Sequence, residues 1–339
     1  MSDDSWPPAF ACTSCGGILH RHGDALTCAS CGRTVPVVGG VPRFIRSGAQ
    51  ASFALQWKRF ADVQLDSRNG TSESRDRLMT QSQLAPEELA GRSVLEVGAG
   101  AGRFTEVLLS MGAKVVAVDY SEAIEACAAS NAAAIASGHL VVAQADVFAL
   151  PFAPRTFDIV LGYGMLQHTG APRRALSALW GIVRPGGLLL VDRYALDLRH
   201  FLPFKYALRP MTRNIAPERL LRSVERLCAV LVPAERALLR RSRGGLGKWI
   251  RYVLGRAPNS TFPLNLELKG RLDPGTAFRW SVLDTFDQYS PRYDLPCTAE
   301  QWRAQIAALG DSQTLHVGTS GQGHVAVVRR PMTSSNVSA

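Results

Sequence analysis

The chain has 339 residues, 46% of them apolar, and a net charge of +10. That length exceeds one average domain and leaves ample material for a buried core. No uninterrupted apolar run reaches membrane-spanning length, which excludes a transmembrane helix, and the acidic, polar amino-terminus is unlike a secretory signal. A cytoplasmic protein is expected, with Cys127, Cys228 and Cys297 as ordinary reduced thiols. The charge is not spread evenly. Residues 197–275 hold sixteen Lys/Arg against six Asp/Glu, so the whole excess belongs to one segment and the remainder is neutral.

Near the start, Cys12-Thr-Ser-Cys15 and Cys28-Ala-Ser-Cys31 stand twelve residues apart, each followed by glycine. Such turns point two thiolates at one metal while backbone amides face the sulfurs, and two of them complete a tetrahedral shell. A structural Zn²⁺ held by Cys12, Cys15, Cys28 and Cys31 is therefore expected, with no open position for chemistry. His20 and His22, on the intervening hairpin, read as surface residues. This module occupies residues 1–46 and resembles the zinc ribbons attached to some methyltransferases, including those that modify guanine in rRNA. Residues 47–91 form a polar, partly helical lead-in broken near Asn69-Gly70 and Pro86. Trp57 and Phe60, three apart, share a helix face. Two readings of this lead-in stand: packing onto the main domain, or a cover over the ligand site made by Gln56, Trp57, Gln64 and the turn Ser74-Arg-Asp-Arg77.

The organising stretch is Val94-Leu-Glu-Val-Gly-Ala-Gly-Ala-Gly-Arg-Phe-Thr105. Its apolar start predicts a buried strand, its three glycines a loop, and Phe104–Met111 a helix closed by Gly112. A ligand can approach such a loop closely, at the positive end of the helix. The strict dinucleotide fingerprint fails, because Arg103 occupies its last glycine position. Glu96 at the mouth would repel a pyrophosphate but suits a ligand carrying an ammonium and a sulfonium. Lys114–Asp119 is a second strand ending in an acid suited to ribose hydroxyls, followed by a helix over Glu122–Ser137 capped by Ser121. Leu140–Asp146 is a third. Leu150-Pro-Phe152 precedes Phe157-Asp-Ile-Val160, the fourth, and the turn Arg184-Pro-Gly-Gly187 leads into the fifth, Leu188–Asp192.

These five elements, over residues 92–192, resemble the type 11 group of class I S-adenosylmethionine (SAM) methyltransferases. The lead-in resembles that of a bacterial family within it. The resemblance implies an α/β fold: a Rossmann-like, seven-stranded, doubly wound sheet, with the zinc ribbon before it and a mainly helical lid inserted after it. It implies SAM as cofactor, bound by Glu96, Gly98, Ala99, Gly100, Gly102, Asp119, Tyr120, Asp146, the Val147 amide and Gly162. Catalytic candidates lie just beyond the fourth and fifth strands: His168 as a general base, Tyr163 and Tyr194 as groups that orient the acceptor.

The core is expected over 92–195 and the basic insertion over 196–293, with helices at Glu218–Val232 and Leu246–Leu254. Within it Asp284-Thr-Phe-Asp287 and Tyr289–Asp294 resemble a substrate-facing loop. Residues 294–331 should supply the last helix, Ala299–Leu309, and a hairpin of Thr314–Val317 with His324–Arg329, ahead of a disordered tail at 332–339. The leading function is methyl transfer to a small-molecule or biosynthetic acceptor. The alternative is methylation of rRNA or tRNA, with the ribbon and the insertion's Phe201, Phe204, Tyr206, Trp249 and Tyr252 as RNA-binding parts. A further variant lays Arg240–Arg256 on an anionic membrane to reach a lipid-linked acceptor.

Overall fold

The amino-terminal module buries few apolar side chains, so strand pairing and its cysteines must do most of the organising. Strands β1 (Leu19–His22), β2 (Ala25–Cys28), β3 (Thr34–Val38) and β4 (Val41–Pro42) form an antiparallel meander in that order. Its core is Cys12, Leu19, Leu26, Cys28, Val35 and Val37, the inward positions of alternating strands. The computed structural model describes residues 6–45, 51–196, 204–241, 258–321 and 323–332, with Trp249 and Leu254. By contacts the chain divides into two units. One comprises Met1–Ala49, Arg75–Ala195 and Tyr293–Ala339, ribbon included; the other joins Gln50–Ser74 to Leu196–Arg292. The lead-in, with helices α1 (Ala51–Arg59), α2 (Asp66–Asn69) and α3 (Glu73–Ser82), is thus divided between the two.

In the first unit β5 (Ser93–Val97), β6 (Lys114–Asp119), β7 (Leu140–Gln144), β8 (Phe157–Gly162) and β9 (Val183–Tyr194) are parallel, and β10 (Gln313–Ser320) and β11 (Gly323–Arg329) close one edge antiparallel. The order is β10-β11-β9-β8-β5-β6-β7. Val115 to Val118 are wholly buried because both faces are covered, as continuous apolar strands require. Leu95, Val97, Val116 and Val118 pack on one face, and Val94, Val115 and Ala117 on the other. The chain reverses direction across the sheet between β5 and β8, so the crevice expected for a ligand opens at their carboxyl ends. Four helices flank the strands: α4 (Arg103–Ser110), α5 (Ile124–Ser130), α6 (Ala132–Ala136) and α7 (Pro172–Ile182).

Three local expectations are corrected. The helix over Glu122–Ser137 breaks at Asn131, whose side chain donates to the Cys127 carbonyl (3.0 Å) and ends the first segment. Residues 184–187 are a bulge inside β9 rather than a turn before it: the register with β8 shifts there and Gly186 takes φ +77°. Gly187 is required, since a Cβ would lie 2.7 Å from the Asp158 carbonyl. Strand β10 also runs through Gly318 to Ser320, which shortens the final turn.

The second unit is helical: α1, α2, α8 (Phe204–Thr212), α9 (Pro217–Arg241), α10 (Phe262–Leu268) and α11 (Pro274–Tyr289). The expected stop at Val232 is overridden. Helix α9 continues through Pro233 because Leu220, Leu221, Val224, Cys228, Val232 and Leu239 make one buried stripe whose packing outweighs the lost backbone bond. Asp284-Thr-Phe-Asp287 is not a loop; it lies in α11, started by Asp273, which accepts from the Gly275 and Thr276 amides (2.9 and 3.0 Å). Gln56 donates to Asp287 (3.1 Å) and Gln64 to Asp284 (3.2 Å), so these amides bond the helical unit's own acids. Trp57 and Phe60 pack in the same unit's core, with α1 ending one residue before Phe60.

The expected helix Leu246–Leu254 lies outside the described residues except for Trp249 and Leu254, as do Phe201, Tyr252, most of Arg240–Arg256 and the tail beyond Met332. The last helix is α12 (Ala299–Ala307), begun by Thr298 with Gln301 as a reciprocal cap. Among the described residues no helix is long and apolar enough to cross a membrane.

Candidate functional site

Beyond β5 the backbone turns through left-handed conformations at Gly98 (φ +82°), Gly100 (+56°) and Gly102 (+93°). A Cβ on Gly98 would meet Met165 Cβ at 2.7 Å, and one on Gly102 would meet the Asn131 amide at 2.9 Å and the Cys127 sulfur at 3.0 Å. The loop is therefore confined to bare backbone from beneath. It is pinned from the second strand: the amides of Gly98 and Ala99 both donate to the Val118 carbonyl (2.8 and 3.1 Å).

Two acids converge on this loop. Glu96 is 2% exposed and accepts a 2.5 Å hydrogen bond from Thr105 of α4. Burial, with Asp119 nearby, pushes its carboxyl up to about 8. Asp119, at the tip of β6, accepts from the Gly100 amide (2.8 Å) and from the amide and hydroxyl of Ser121 (2.7 Å each). Burial raises its carboxyl as well, against those bonds. Asp119 thus holds the glycine loop in shape, and Ser121 supports it while also accepting from the Ala123 amide (3.2 Å). Thr105 was not singled out from the sequence; its signal is a hydroxyl set on the buried face of α4.

Asp146 is half-buried and caps a short turn, Val147–Ala149, by accepting from the Phe148 amide (2.9 Å); Val147 is buried. Tyr120 is 37% exposed, and its carbonyl accepts from Gln144 Nε2 (3.1 Å). Gly162 ends β8, where a Cβ would lie 2.9 Å from Leu179. Glu96, Gly98, Ala99, Gly100, Gly102, Asp119 and Tyr120 are thus joined by direct bonds or adjacency. Asp146 and Val147 stand at the next strand end, Gly162 at that of β8.

The three catalytic candidates fall into two groups. His168 and Tyr194 meet edge to face at 5.7 Å. Only donation satisfies a carbonyl, so His168 Nδ1 carries a proton toward the Tyr293 carbonyl (3.1 Å). Tyr163 instead meets Phe104 edge to face at 5.6 Å; its hydroxyl is buried without a hydrogen-bond partner among the described residues, and burial raises its pKa. Asp192, near the end of β9, accepts from Arg77 (2.6 Å) and from the Gly164 amide (2.6 Å). The expected turn Ser74–Arg77 is instead the start of helix α3, which carries Arg77 to this strand end. Gln167, wholly buried, has neither its side-chain nitrogen nor its oxygen bonded among the described residues, and nothing in its sequence context marked it.

In the ribbon, the four cysteine sulfurs lie within 4.8 Å of one another, with Cys12–Cys31 at 3.7 Å and Cys15–Cys28 at 3.5 Å. A tetrahedral zinc at about 2.3 Å from each sulfur needs sulfurs about 3.8 Å apart, so this set fits that ion. Gly16 and Gly32 adopt left-handed φ directly after the second cysteine of each knuckle, and their amides donate to the carbonyls of Cys12 and Cys28 (2.8 and 3.0 Å). His20 and His22 are exposed on β1.

The ribbon is also fastened to the sheet beside the candidate site. Phe44 N donates to the Gln144 carbonyl (2.8 Å), Arg43 pairs with Glu125 (2.7 Å) and donates to Gln144 Oε1 (3.1 Å), and Phe10 stacks near Phe152 at 5.5 Å. It thereby covers β7, the otherwise open edge of the sheet. Gln144 bonds Arg43 on one side and the Tyr120 carbonyl on the other.

Residues 95–191, from the first parallel strand to within the last, match the protein family described as a methyltransferase domain. The chain carries a class I methyltransferase domain. It is 31% identical over 120 residues to a demethylmenaquinone methyltransferase of Clavibacter sepedonicus, covering 35% of this chain and 47% of that protein. It is 31% identical over 121 residues to a ubiquinone biosynthesis O-methyltransferase of Burkholderia ambifaria, covering 35% of this chain and 51% of that one. The chain therefore spans about half the length of these curated relatives. Among solved structures it resembles magnesium protoporphyrin IX methyltransferase of Synechocystis, with a TM-score of 0.46 and 14% identity over 83% of this chain and 97% of the other. The family match includes neither the ribbon nor the helical unit.

Proposed function

We propose that this chain is a SAM-dependent methyltransferase whose acceptor is a hydroxyl-bearing small molecule. The observation that carries the reading is the pair of buried acids, Glu96 and Asp119, on adjacent strand ends around a loop of bare backbone. Bound there, SAM supplies an electrophilic methyl group. Glu96 is placed to take the ligand's ammonium, which would also draw off the proton that burial favours. Asp119 keeps lone pairs for ribose hydroxyls beyond its bonds to Gly100 and Ser121. Asp146 and the Val147 amide suit the adenine edge, and the floor beneath Gly98 excludes anything larger than hydrogen.

On the acceptor side His168, with its proton on Nδ1, is suited to take a hydroxyl proton at Nε2. Tyr163 remains protonated at neutral pH and is suited to donate to an acceptor oxygen, while Tyr194 orients the His168 ring. The relatives' names, which concern quinone biosynthesis and one O-methylation, support a small acceptor. In the ribbon, the cysteine set suits a structural zinc whose part is to hold the module against β7.

The test is isothermal titration with SAM of the protein and of Asp119→Ala, followed by a tritiated-methyl screen of small-molecule extracts against total RNA. Micromolar SAM binding abolished by Asp119→Ala, with label entering the small-molecule fraction, is the expected result. Label entering RNA alone would overturn the acceptor class, and SAM binding untouched by Asp119→Ala would overturn the site.

A further inference from the structure

The helical unit contains a cavity of about 680 Å³ lined by none of the glycine-loop residues. Its walls carry four arginines: Arg59 at the end of α1, Arg222 and Arg226 on α9, and Arg279 on α11. Its floor is apolar, with Phe60 3% and Val282 1% exposed and Phe278 half-buried. Two of the arginines are committed: Arg279 makes two bonds to Asp62 (2.6 and 2.7 Å), and Arg59 lies 3.7 Å from Glu225. Arg222 and Arg226 make no side-chain hydrogen bond or ion pair among the described residues. They sit one helical turn apart on the same face, where like charges repel each other and weaken the helix. Glu225 is the single acid in the lining.

We propose that this cavity binds a small organic anion with a phosphate-type head and an apolar body. Two adjacent guanidinium forks match the oxygens of a phosphate, and because Arg59 and Arg279 each face an acid, the surplus positive charge of the lining is that of Arg222 and Arg226. The floor of Phe60, Phe278 and Val282 offers apolar contact to the rest of the molecule. A cavity of this size is that of a small-molecule site. A single-stranded RNA would need exposed rings on which bases stack, and here Phe60 is buried and Phe278 half-buried. This site is separate from methyl transfer and does not rest on it.

The experiment is titration of the full chain at 150 mM NaCl with octyl phosphate, octanol, inorganic phosphate and a uridine 20-mer, repeated on the double variant Arg222→Gln/Arg226→Gln. Both residues are exposed, and circular dichroism checks that the variant folds. Octyl phosphate should bind at least tenfold more tightly than inorganic phosphate, octanol should not bind, and the double variant should lose octyl phosphate at least tenfold while keeping its SAM affinity. Absence of octyl phosphate binding up to millimolar concentration, or equal binding by the variant, would overturn the proposal. So would binding of the 20-mer, or of phosphatidic acid vesicles, that needs these arginines when octyl phosphate does not bind.

Discussion

The ribbon and the parallel sheet lie side by side in one compact unit, yet they hold their shape by different physics. The sheet buries both faces of five parallel strands, so Val94, Leu95, Val115 to Val118 and Leu189 to Val191 are wholly buried in its two apolar clusters. The ribbon's core is six residues, two of them cysteines, and its remaining order comes from left-handed turns that aim four sulfurs at one point. Where the two meet the seam is mixed: Phe10 and Phe44 pack against the sheet's core and Val41 joins it, beside a strand-edge pairing, one partly exposed ion pair and the side chain of Gln144. A large apolar surface tolerates local damage, a set of four converging thiols does not, and the seam's polar members transmit position more than stability.

The sharpest way to break that comparison is to remove the cluster. The double variant Cys12→Ser/Cys31→Ser, or a strong chelator, should release about one zinc per chain and unfold residues 10–45, because structural zinc sites contribute on the order of 10 kcal/mol to small modules. Hydrogen exchange should show lost protection in β1–β3 with β5–β9 still protected. Simultaneous loss in both would mean that the ribbon and sheet fold as one cooperative unit.

A smaller effect is expected at the sheet's carboxyl edge. Arg77→Ala leaves the buried Asp192 carboxylate with only the Gly164 amide and should lower stability by about 2 kcal/mol, below the cost of a fully buried pair because Arg77 is part exposed. Urea denaturation would measure it, and Arg77→Lys should recover part of the loss.

Glu96→Gln sharpens the comparison through pH. The folded protein holds the Glu96 proton up to about 8, above the ordinary 4.5, so between those values the unfolded chain binds fewer protons than the folded one and stability falls as pH rises. Glu96→Gln should flatten much of that slope in urea midpoints taken at pH 5 and pH 8, leaving a remainder from Asp119. Wild type should release a proton on binding SAM at pH 7, read by titration in buffers of different ionisation enthalpy, and Glu96→Gln should abolish that release. Last and smallest, Gln144→Leu should cost about 1 kcal/mol by removing bonds to Arg43 and Tyr120. Its SAM affinity should drop more than its stability if the seam positions the Tyr120 loop; an unchanged affinity would leave the seam a purely structural joint.

Much of the architecture was legible from local pattern. Apolar runs ending in Glu96-Val97 and Asp119 mark parallel strands and their carboxyl ends, because strands buried on both faces carry no alternation and polar side chains are placed where they emerge. Two Cys-x-x-Cys-Gly turns mark the cluster of four sulfurs for a comparable reason: each turn aims its own pair within a few residues. Helix limits were less legible, and Pro233 and Asn131 show why. Proline signals a stop, but a long buried stripe carried α9 past it; alanine signals continuation, but one side-chain bond to the Cys127 carbonyl ended α5.

What the sequence by itself determined is therefore the order of strands, the glycine loop, the acids around it and the cysteine cluster, since each depends on neighbours within about one supersecondary unit. Tertiary structure alone decided that Gln56 and Gln64 serve Asp287 and Asp284, that Arg77 reaches Asp192, that Gln144 joins the ribbon to the Tyr120 loop, and that arginines from three separate helices line one cavity. A buried polar group must find its partner wherever the fold brings one within about 3 Å, and sequence separation carries no information about that distance.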